Sequence, residues 1–524
     1  MTWLNYRIKV LNPEKNSNML MQLNPYQNKR NRRWPVFIFV TLLLSSHNPS
    51  AAQGGRYWDQ SLNSEAALLS GAVVAGEGGI AAIFYNPATI PEMKKTNLSL
   101  SANLFSTYYF NAKDALGVDL PADRFQLNIY PRIITFTLKP ERNPDITIEM
   151  AYFTKSNEYM VINKGISSEG DIIASNPGNE NYTGEYYMRS KFQDYNGGAG
   201  FGYKLSDKLS LGFSGLISYK DDQYYNLITA DAFTMPVPDP SGSRQYLSDS
   251  RYHIKYNMYD VRLTTKLGLH LKQNSWSFGT NINLPSLKLF GNGTVVKQYE
   301  YSNIHREAGN TGGFNRYYAG RQSGCSAHFK DPLSIAAGVN FYSPSGKSIL
   351  LFTAEYFFGL EPFDYIEANH DPGEEGYNFS PAEPEDWLSY STSQEPVFNA
   401  GVAFKRYIRP ELMISGGFRT DFSYQDNSDK TGFMEKNMKG YYPLNVYHLN
   451  SGLGYNFKKG SIILGMQFSY GQDKNQQQVI NLSEPVEYIS ETILPLTGPL
   501  NNQVLIRYYD VTIYFGFLFN FLNK

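Results

Sequence analysis

Basic side chains recur at alternate positions of apolar segments, where they could hold an anionic group. In residues 261–271 large aliphatic side chains occupy most odd positions, and Arg262, Lys266 and His270 occupy even ones. Successive side chains of a strand point to opposite faces, so these three residues would share one polar face. The same alternation predicts further ionisable residues on that face: Glu355, Lys405, Arg419, Asp421, His448 and Asp510.

Two of these residues, Arg262 and Arg419, are candidate clamps for a ligand carboxylate. A guanidinium group can engage a carboxylate through two parallel hydrogen bonds. The alternative interpretation is an internal salt-bridge network, in which the arginines pair with Glu355, Asp421 or Asp510. The sequence leaves both interpretations open.

Enzymatic chemistry has little support in the sequence. No Gly-x-Ser-x-Gly motif occurs. The alternation places His270 and His448 on the polar face, whereas a serine–histidine lipase built on the outer surface of strands would need an outward-facing histidine. Cys325 is the only cysteine, which excludes a disulfide framework and a cysteine metal cluster. Residues 426–429 (DNSD) lack the glycine and glutamate spacing of a calcium loop. We therefore expect no catalytic residue, metal or cofactor.

The C-terminal segment carries the clearest strand pattern. Every odd position is a large apolar residue: Val511, Ile513, Phe515, Phe517, Phe519 and Phe521. In a strand these side chains would form one apolar face suited to lipid. An aromatic residue near the chain end also resembles the signal that outer-membrane barrels present to their insertion machinery. The alternative is a strand of a soluble β-sandwich.

Similar alternating segments recur along the chain, and their connections are alternately short and long. The six tight connections lie at 139–144, 206–207, 272–274, 343–347, 407–410 and 458–460. The seven long polar connections lie near 111–123, 156–192, 221–250, 290–331, 359–394, 425–443 and 473–503. Counting from 97–110 to 505–521 gives fourteen strands. This rhythm predicts an all-β fold, a closed, antiparallel, up-and-down transmembrane barrel with long loops at one end, which a soluble sandwich would not need.

The N-terminal residues 1–52 are predicted to be a signal peptide. A basic stretch at 29–33 precedes an apolar stretch at 34–44, which is too short to span a bilayer, and small residues follow up to Ala52. The basic stretch begins unusually late, so Met19 or Met21 is an alternative start. With 47 basic and 48 acidic residues the chain has a net charge near zero, which would not attract a polyanion. We therefore expect no nucleic-acid partner.

Residues 53–95 precede the predicted barrel (96–524), and their small and apolar residues favour burial inside it. Two stretches, 76–81 (GEGGIA) and 86–93 (NPATIPEM), resemble the N-terminal hatch of the FadL-type family of outer-membrane transporters for long-chain fatty acids, which includes hydrocarbon channels of the TodX kind. The motif residues are Gly76, Glu77, Gly78, Asn86, Pro87 and Ala88. Pro87 fixes its own φ and restrains Asn86 to extended geometry, while Ala88 allows close packing. The alternative is an ordinary turn before a strand.

The resemblance implies a mechanism as well as a fold. It implies a fourteen-stranded barrel that is blocked by the hatch, with ligand captured at the external loops, bound inside and released through a gap in the wall. Members of the family usually carry a Pro-Phe-Gly-like segment after the third strand, near the gap. This chain has the polar residues 154–158 (TKSNE) there, so the sequence does not place the gap.

The alternating strands predict an outer-membrane protein of a Gram-negative cell, and the resemblance implies passive uptake of hydrophobic molecules, most simply long-chain fatty acids. The predicted partners are the hydrophobic ligand, outer-membrane lipid and the barrel-insertion machinery. An apolar cluster in the long connection 221–250 is a candidate capture site; its residues are Leu227, Ile228, Phe233 and Met235. The alternative function is a non-transporting surface protein whose long external loops bind a partner.

Overall fold

A computed structural model describes residues 55–58, 61–93, 97–176, 178–234, 247–306, 312–425 and 444–520. The predicted signal peptide, Met235 and Phe521 lie outside these residues. No helix in the described ranges combines the length and the apolar character needed to cross a membrane.

The described residues form one continuous antiparallel sheet that closes into a barrel. Its strands are β1 (Asn97–Lys113), β2 (Ala122–Leu138), β3 (Ile146–Gly170), β4 (Glu180–Lys204), β5 (Leu209–Phe233), β6 (Leu247–Lys272), β7 (Trp276–Asn283), β8 (Leu287–Ile304), β9 (Phe314–Ala327), β10 (Ser334–Tyr342), β11 (Ser348–Phe357), β12 (Leu360–Glu367), β13 (Tyr377–Asn378), β14 (Tyr390–Gln394), β15 (Val397–Tyr407), β16 (Leu412–Asp421), β17 (Val446–Phe457), β18 (Gly460–Gln476) and β19 (Val504–Asn520). The first and last strands pair in register from Asn97 with Asn520 to Lys113 with Leu505. No sheet edge therefore remains open at the chain ends, as a barrel in lipid requires.

Fourteen strands cross the described part of the barrel, because four of them are interrupted and the two-residue β13 only adds a short pairing to β9. The interrupted strands are β7 with β8, β9 with β10, β11 with β12, and β14 with β15. The two halves of the first of these strands both pair with β6. The predicted fourteen-stranded antiparallel barrel is confirmed.

The outer face of the wall is apolar over a band and polar beyond it. On β18 the outward positions carry Ile462, Leu464, Met466 and Phe468, and then Tyr470 and Gln472. The odd residues of β19 also face outward, from Val511 to Phe519, as the C-terminal alternation predicted. An apolar band that ends in aromatic residues is the surface that a membrane barrel presents to lipid.

Several strands are much longer than the sequence pattern indicated. β3, β4 and β5 each have 25 residues and β6 has 26. They occupy most of the stretches 156–192 and 221–250, which were expected to be loops. That expectation was wrong because the wall continues beyond the lipid, where outward positions are polar and the apolar alternation disappears.

Residues 55–58 and 61–93, here called the hatch, lie inside the barrel. Two short helices, α1 (Ser64–Leu68) and α2 (Ala82–Tyr85), alternate with 3₁₀ turns at Gly79–Ala81 and Pro87–Glu92. Hydrogen bonds join the hatch to inward-facing residues around the wall, such as Ser101, Glu149 and Thr353. The hatch thus fills one end of the barrel.

The other end is filled by a second cluster, here called the outer core. It includes buried tyrosines from the long strands and from the chain after β11: Tyr182, Tyr186, Tyr224, Tyr252, Tyr256, Tyr299, Tyr301, Tyr365 and Tyr390. Aliphatic residues of the connections pack onto them, among them Leu388 of α3 (Pro384–Leu388), Ile480, Leu482 and Leu494. The described parts of the connections that carry these residues therefore fold into the barrel rather than projecting from it.

Replacing Leu464 by Arg tests where the barrel meets lipid. Leu464 is 45% exposed in the middle of the apolar band. An arginine there should lower the free energy of unfolding by about 2–4 kcal/mol, because a charge at the bilayer centre is poorly solvated. The matched change Gln472→Arg, on the same face but beyond Tyr470, should cost only about 0–1 kcal/mol. Denaturant unfolding in lipid vesicles measures both changes, and equal costs would contradict this placement of the band.

Candidate hatch and lumenal cavity

The Asn86 side chain connects three parts of the structure. Its Nδ2 donates to the Val74 carbonyl at 2.7 Å within the hatch and to the Leu269 carbonyl of β6 at 3.1 Å. Its Oδ1 accepts from the Ala88 amide at 3.0 Å and so caps the 3₁₀ turn that begins at Pro87. Asn86 is fully buried. This motif residue therefore fixes the hatch turn against the wall.

The wall has no side chains where the hatch turn passes. Three inward glycines on consecutive strands face it, Gly202, Gly212 and Gly268, and Gly279 of the next strand faces the hatch backbone at Val74 and Ala75. A Cβ atom at Gly212 would overlap the Pro87 carbonyl carbon, and one at Gly268 would overlap Asn86 Oδ1. Glycine in a strand interior often marks such a close backbone approach. The small inward residues in the sequence were a signal for this surface.

The first half of the motif anchors the hatch to the opposite side of the barrel. Gly76 and Glu77 have φ values of 107° and 69°, and a backbone in this region favours glycine at position 76. The Glu77 carboxylate accepts from Lys405 Nζ of β15 at 2.8 Å. The predicted inward position of Lys405 agrees with this contact.

The two candidate arginine clamps both face inward, but each guanidinium already has protein partners. Arg262 donates to Asp260 Oδ2 at 2.8 Å and to Ser286 Oγ and O at 2.7 and 2.9 Å. Arg419 donates to Ser61 Oγ of the hatch and to Gln467 Oε1 at 3.1 Å. These contacts match the alternative of an internal polar network, although the predicted acidic partners differ. A ligand role for either arginine stays a prediction.

The predicted apolar capture loop is wrong for its three described members. Leu227, Ile228 and Phe233 belong to β5, and Ile228 is fully buried in the outer core. Leu227 and Phe233 lie on the opposite, outward face of the strand. Ligand contact by these residues stays a prediction.

Between the hatch and the outer core lies a cavity of about 220 Å³. Its aromatic lining includes Trp58, Phe84, Tyr85, Phe192 and Phe329. Its charged lining includes a compact cluster, in which Lys220 Nζ lies 2.8 Å from Asp331 and 3.5 Å from Asp194. Lys155 lies within 4.0 Å of the same two carboxylates. The cavity thus combines apolar surface with a few polar groups, as sites for small molecules usually do.

One wall of this cavity is a segment that turns into the lumen. Residues 328–332, here called the inward segment, interrupt the strand between β9 and β10. The Phe329 amide donates to Asp260 Oδ2 at 2.6 Å, and the Asp331 amide donates to Ser286 Oγ at 2.9 Å. The sequence assigned these residues to the long connection 290–331 and gave no sign of this turn.

Two neighbouring strands of the wall, β2 and β3, part from each other next to the cavity, and this opening is here called the wall separation. β2 pairs with β3 only through Ile133–Leu138, and among the described residues its Ala122–Arg132 half pairs with β1 alone. β3 has a bulge between Thr154 and Ser156, and its upper half pairs with β4. Lys155, Ser156 and Glu158 follow this point and line the cavity. The polar stretch that departed from the family pattern therefore lies at the separation.

Two contacts cross the separation farther along the strands. Tyr108 Oη of β1 donates to the Tyr159 carbonyl of β3 at 2.7 Å. Lys164 Nζ of β3 lies 2.6 Å from Asp123 Oδ1 of β2. The separation is therefore bounded by paired strands on one side and by these contacts on the other.

Two solved structures resemble this barrel over most of its length. A FadL homologue of Pseudomonas aeruginosa matches with a TM-score of 0.51 and 10% identity over 91% of this chain and 100% of that chain. The P. putida toluene transporter TodX matches with a TM-score of 0.51 and 13% identity over 88% and 99%. This chain has the FadL/TodX fold. No protein-family model matches the sequence, and no curated protein sequence is similar enough to match.

The FadL/TodX fold confirms the resemblance that the hatch motif suggested. At 10 to 13% identity the likeness concerns architecture alone. The cavity, the inward segment and the position of the wall separation are therefore described from this chain's own residues.

Replacing Gly212 by Val tests the seating of the hatch. The new side chain would occupy the space of Pro87, so the hatch should be displaced while the barrel still inserts. We expect a higher ion conductance in planar bilayers and faster proteolysis of the hatch. Gly215→Val is the matched control, because Gly215 lies on the same strand and faces outward. A Gly212→Val protein that conducts no more than the control would contradict the docking of the hatch on this surface.

Proposed function

We propose that this protein is an outer-membrane channel through which compact hydrophobic molecules cross passively. The observation that carries the proposal is the lumenal cavity, which is enclosed by the hatch and the outer core and adjoins the wall separation. The lipid-facing band supports placement in a membrane, and outer-membrane lipid is the partner of that band. The signal peptide and the role of the insertion machinery remain predictions.

The size of the cavity favours a small ligand. An engineered protein cavity of roughly 150 Å³ binds benzene, whereas pockets for drug-sized ligands occupy about 300–1,000 Å³. A cavity of about 220 Å³ would suit one aromatic ring with short substituents. The name of one structural neighbour, a toluene transporter, agrees with this choice. A long-chain fatty acid, the first expectation from the sequence, would have to extend beyond the cavity, and we keep it as the second candidate substrate.

The wall separation provides the route between the cavity and the membrane. In the described part of the chain, the outer core fills the barrel end that the long connections form, and the hatch fills the other end. Ser156 and Glu158 lie both on the cavity and at the separation. A ligand that leaves between β2 and β3 would move directly from an apolar cavity into lipid.

The alternative of a surface protein loses its main support. It rested on seven long external loops, and most of the residues assigned to two of them belong to β3, β4, β5 and β6. The connection 477–503 contributes Ile480, Leu482 and Leu494 to the outer core. The uptake experiment separates the two functions.

Uptake is tested in Gram-negative cells that lack their own outer-membrane transporter for hydrophobic compounds. Expression of the protein should accelerate uptake of radiolabelled toluene several-fold, and oleate in parallel tests the second substrate class. Insertion is verified by surface labelling and by heat-modifiable migration. Uptake of neither compound by an inserted protein would contradict the proposal and favour the surface-protein alternative.

The lateral route has its own test. A single cysteine at Ser156, in a protein whose buried Cys325 is replaced by Ala, is labelled with a bulky maleimide. The label should reduce toluene uptake strongly, because it occupies the separation. A label at Ser345→Cys, exposed in the short connection between β10 and β11 and not part of the cavity lining, is the matched control. Equal uptake by both labelled proteins would place the route elsewhere.

A further inference from the structure

Lys266 is a buried cation of the lumenal cavity that has no polar partner among the described residues. Lys266 faces inward from β6, is 8% exposed and lines the cavity. No salt bridge or hydrogen bond in the described part of the chain involves its ammonium group, whose neighbour is the Phe84 ring, with the centroid 3.9 Å from Nζ. A buried ammonium is normally paired, because its loss of hydration is costly. Lys266 is therefore a group that is poised to receive an anion.

The neighbouring cations Lys220, Lys155 and Arg419 have polar protein partners. Lys220 and Lys155 share Asp194 and Asp331, and Arg419 donates to Ser61 and Gln467. Lys266 differs from these three cations because its ammonium group, among the described residues, contacts only the Phe84 ring, and a cation–π contact leaves the ammonium donors free for an oxygen acceptor.

The nearest part of the lining is suited to a carboxylate that is joined to a ring. Asn283 stands opposite Lys266 in the register of β6 and β7, and Phe84 and Tyr85 provide aromatic surface from the hatch. Glu355 is an acidic group of the same cavity, and its oxygens accept from Trp58 Nε1 at 2.8 Å, Asn283 Nδ2 at 3.0 Å and Ser334 Oγ at 2.7 Å. These donors compensate the Glu355 charge, so its repulsion of a ligand carboxylate is reduced.

We propose that Lys266 anchors the carboxylate of a compact amphiphile, such as an aromatic acid, whose ring lies against the hatch aromatics. This inference rests on the proposed function, because it names the ligand class of the same cavity. Binding would draw the ammonium from Phe84 to the ligand, so that the anion and the hatch compete for one cation. Sequence reasoning placed Lys266 on the polar face but selected the arginines, which have protein partners.

The test compares two probes that differ only in charge. Binding of 4-ethylbenzoate and of 4-ethylbenzyl alcohol to the purified protein in lipid nanodiscs is measured calorimetrically, with empty nanodiscs as blank. The wild type should bind the carboxylate more tightly. Lys266→Met should weaken carboxylate binding by about 10- to 100-fold, the usual effect of losing a hydrogen bond to a charged group. The alcohol should bind both proteins alike, and Lys266→Arg should retain most of the carboxylate affinity.

Lys330→Met is the matched control. Lys330 also lines the cavity and lies over the Phe363 ring, 4.1 Å from its centroid, but it is exposed. Its loss removes the same charge and should change the affinity for either probe by less than about threefold. An equal loss of carboxylate affinity in both methionine variants would show that Lys266 contributes only general electrostatic attraction, and this result would overturn the proposal.

The remaining outcomes separate this inference from the proposed function. Equal affinity of the wild type for both probes, or a Lys266→Met protein that binds the carboxylate normally, would overturn the anchor while the hydrophobic cavity stands. Binding of neither probe to the wild type would overturn both. If Lys266→Met does not fold, as heat-modifiable migration shows, the wild-type comparison and Lys266→Arg still decide.

Discussion

The close approach of the hatch backbone to a side-chain-free stretch of wall is the constraint on which the interior depends. Asn86 and Pro87 can lie against β5 and β6 only because Gly212 and Gly268 present no Cβ there. The Asn86 amide then satisfies backbone groups of both the hatch and the wall, which a buried backbone requires. A larger residue at either glycine would move the hatch, and the floor of the cavity would move with it.

The seated hatch determines what the cavity can hold. It places the Phe84 ring beside the Lys266 ammonium, and the Trp58 side chain donates to Glu355. Contacts between the hatch and distant wall strands therefore position both the floor of the cavity and its charged groups. The inward segment closes another side through Asp260 and Ser286. Because these groups are held by hydrogen bonds, the cavity is a formed site rather than an incidental gap in packing. Its position beside the wall separation lets a ligand reach lipid without passing the outer core.

Strand alternation was enough to predict the barrel and the inward face. Arg262, Lys266, Arg419 and Asp421 all lie where parity placed them, because a lipid-facing wall tolerates charge only on its inner side. The hatch motif was equally readable, since Asn-Pro-Ala before the first strand has a distinct backbone geometry. These features depend on local sequence, which a single chain displays directly.

Other features depended on contacts that the sequence does not display. The outer parts of β3 to β6 stand beyond the lipid, so their polar outward residues resembled loops. Ser61 and Gln467, which accept from Arg419, and Phe84, which lies beside the Lys266 ammonium, are distant from these residues in the chain. The inward segment and the separation of β2 from β3 are decided by strand pairing, which alternation cannot specify.

The central claim is that a compact hydrophobic ligand occupies the cavity above the hatch. A crystal structure of the protein soaked with 4-bromotoluene tests it most directly, because bromine can be located by anomalous scattering. We expect a bromine peak inside the barrel, between Phe84 and Phe329, with the hatch in place. Bromine peaks confined to the lipid-facing surface, with an unchanged cavity, would contradict the claim.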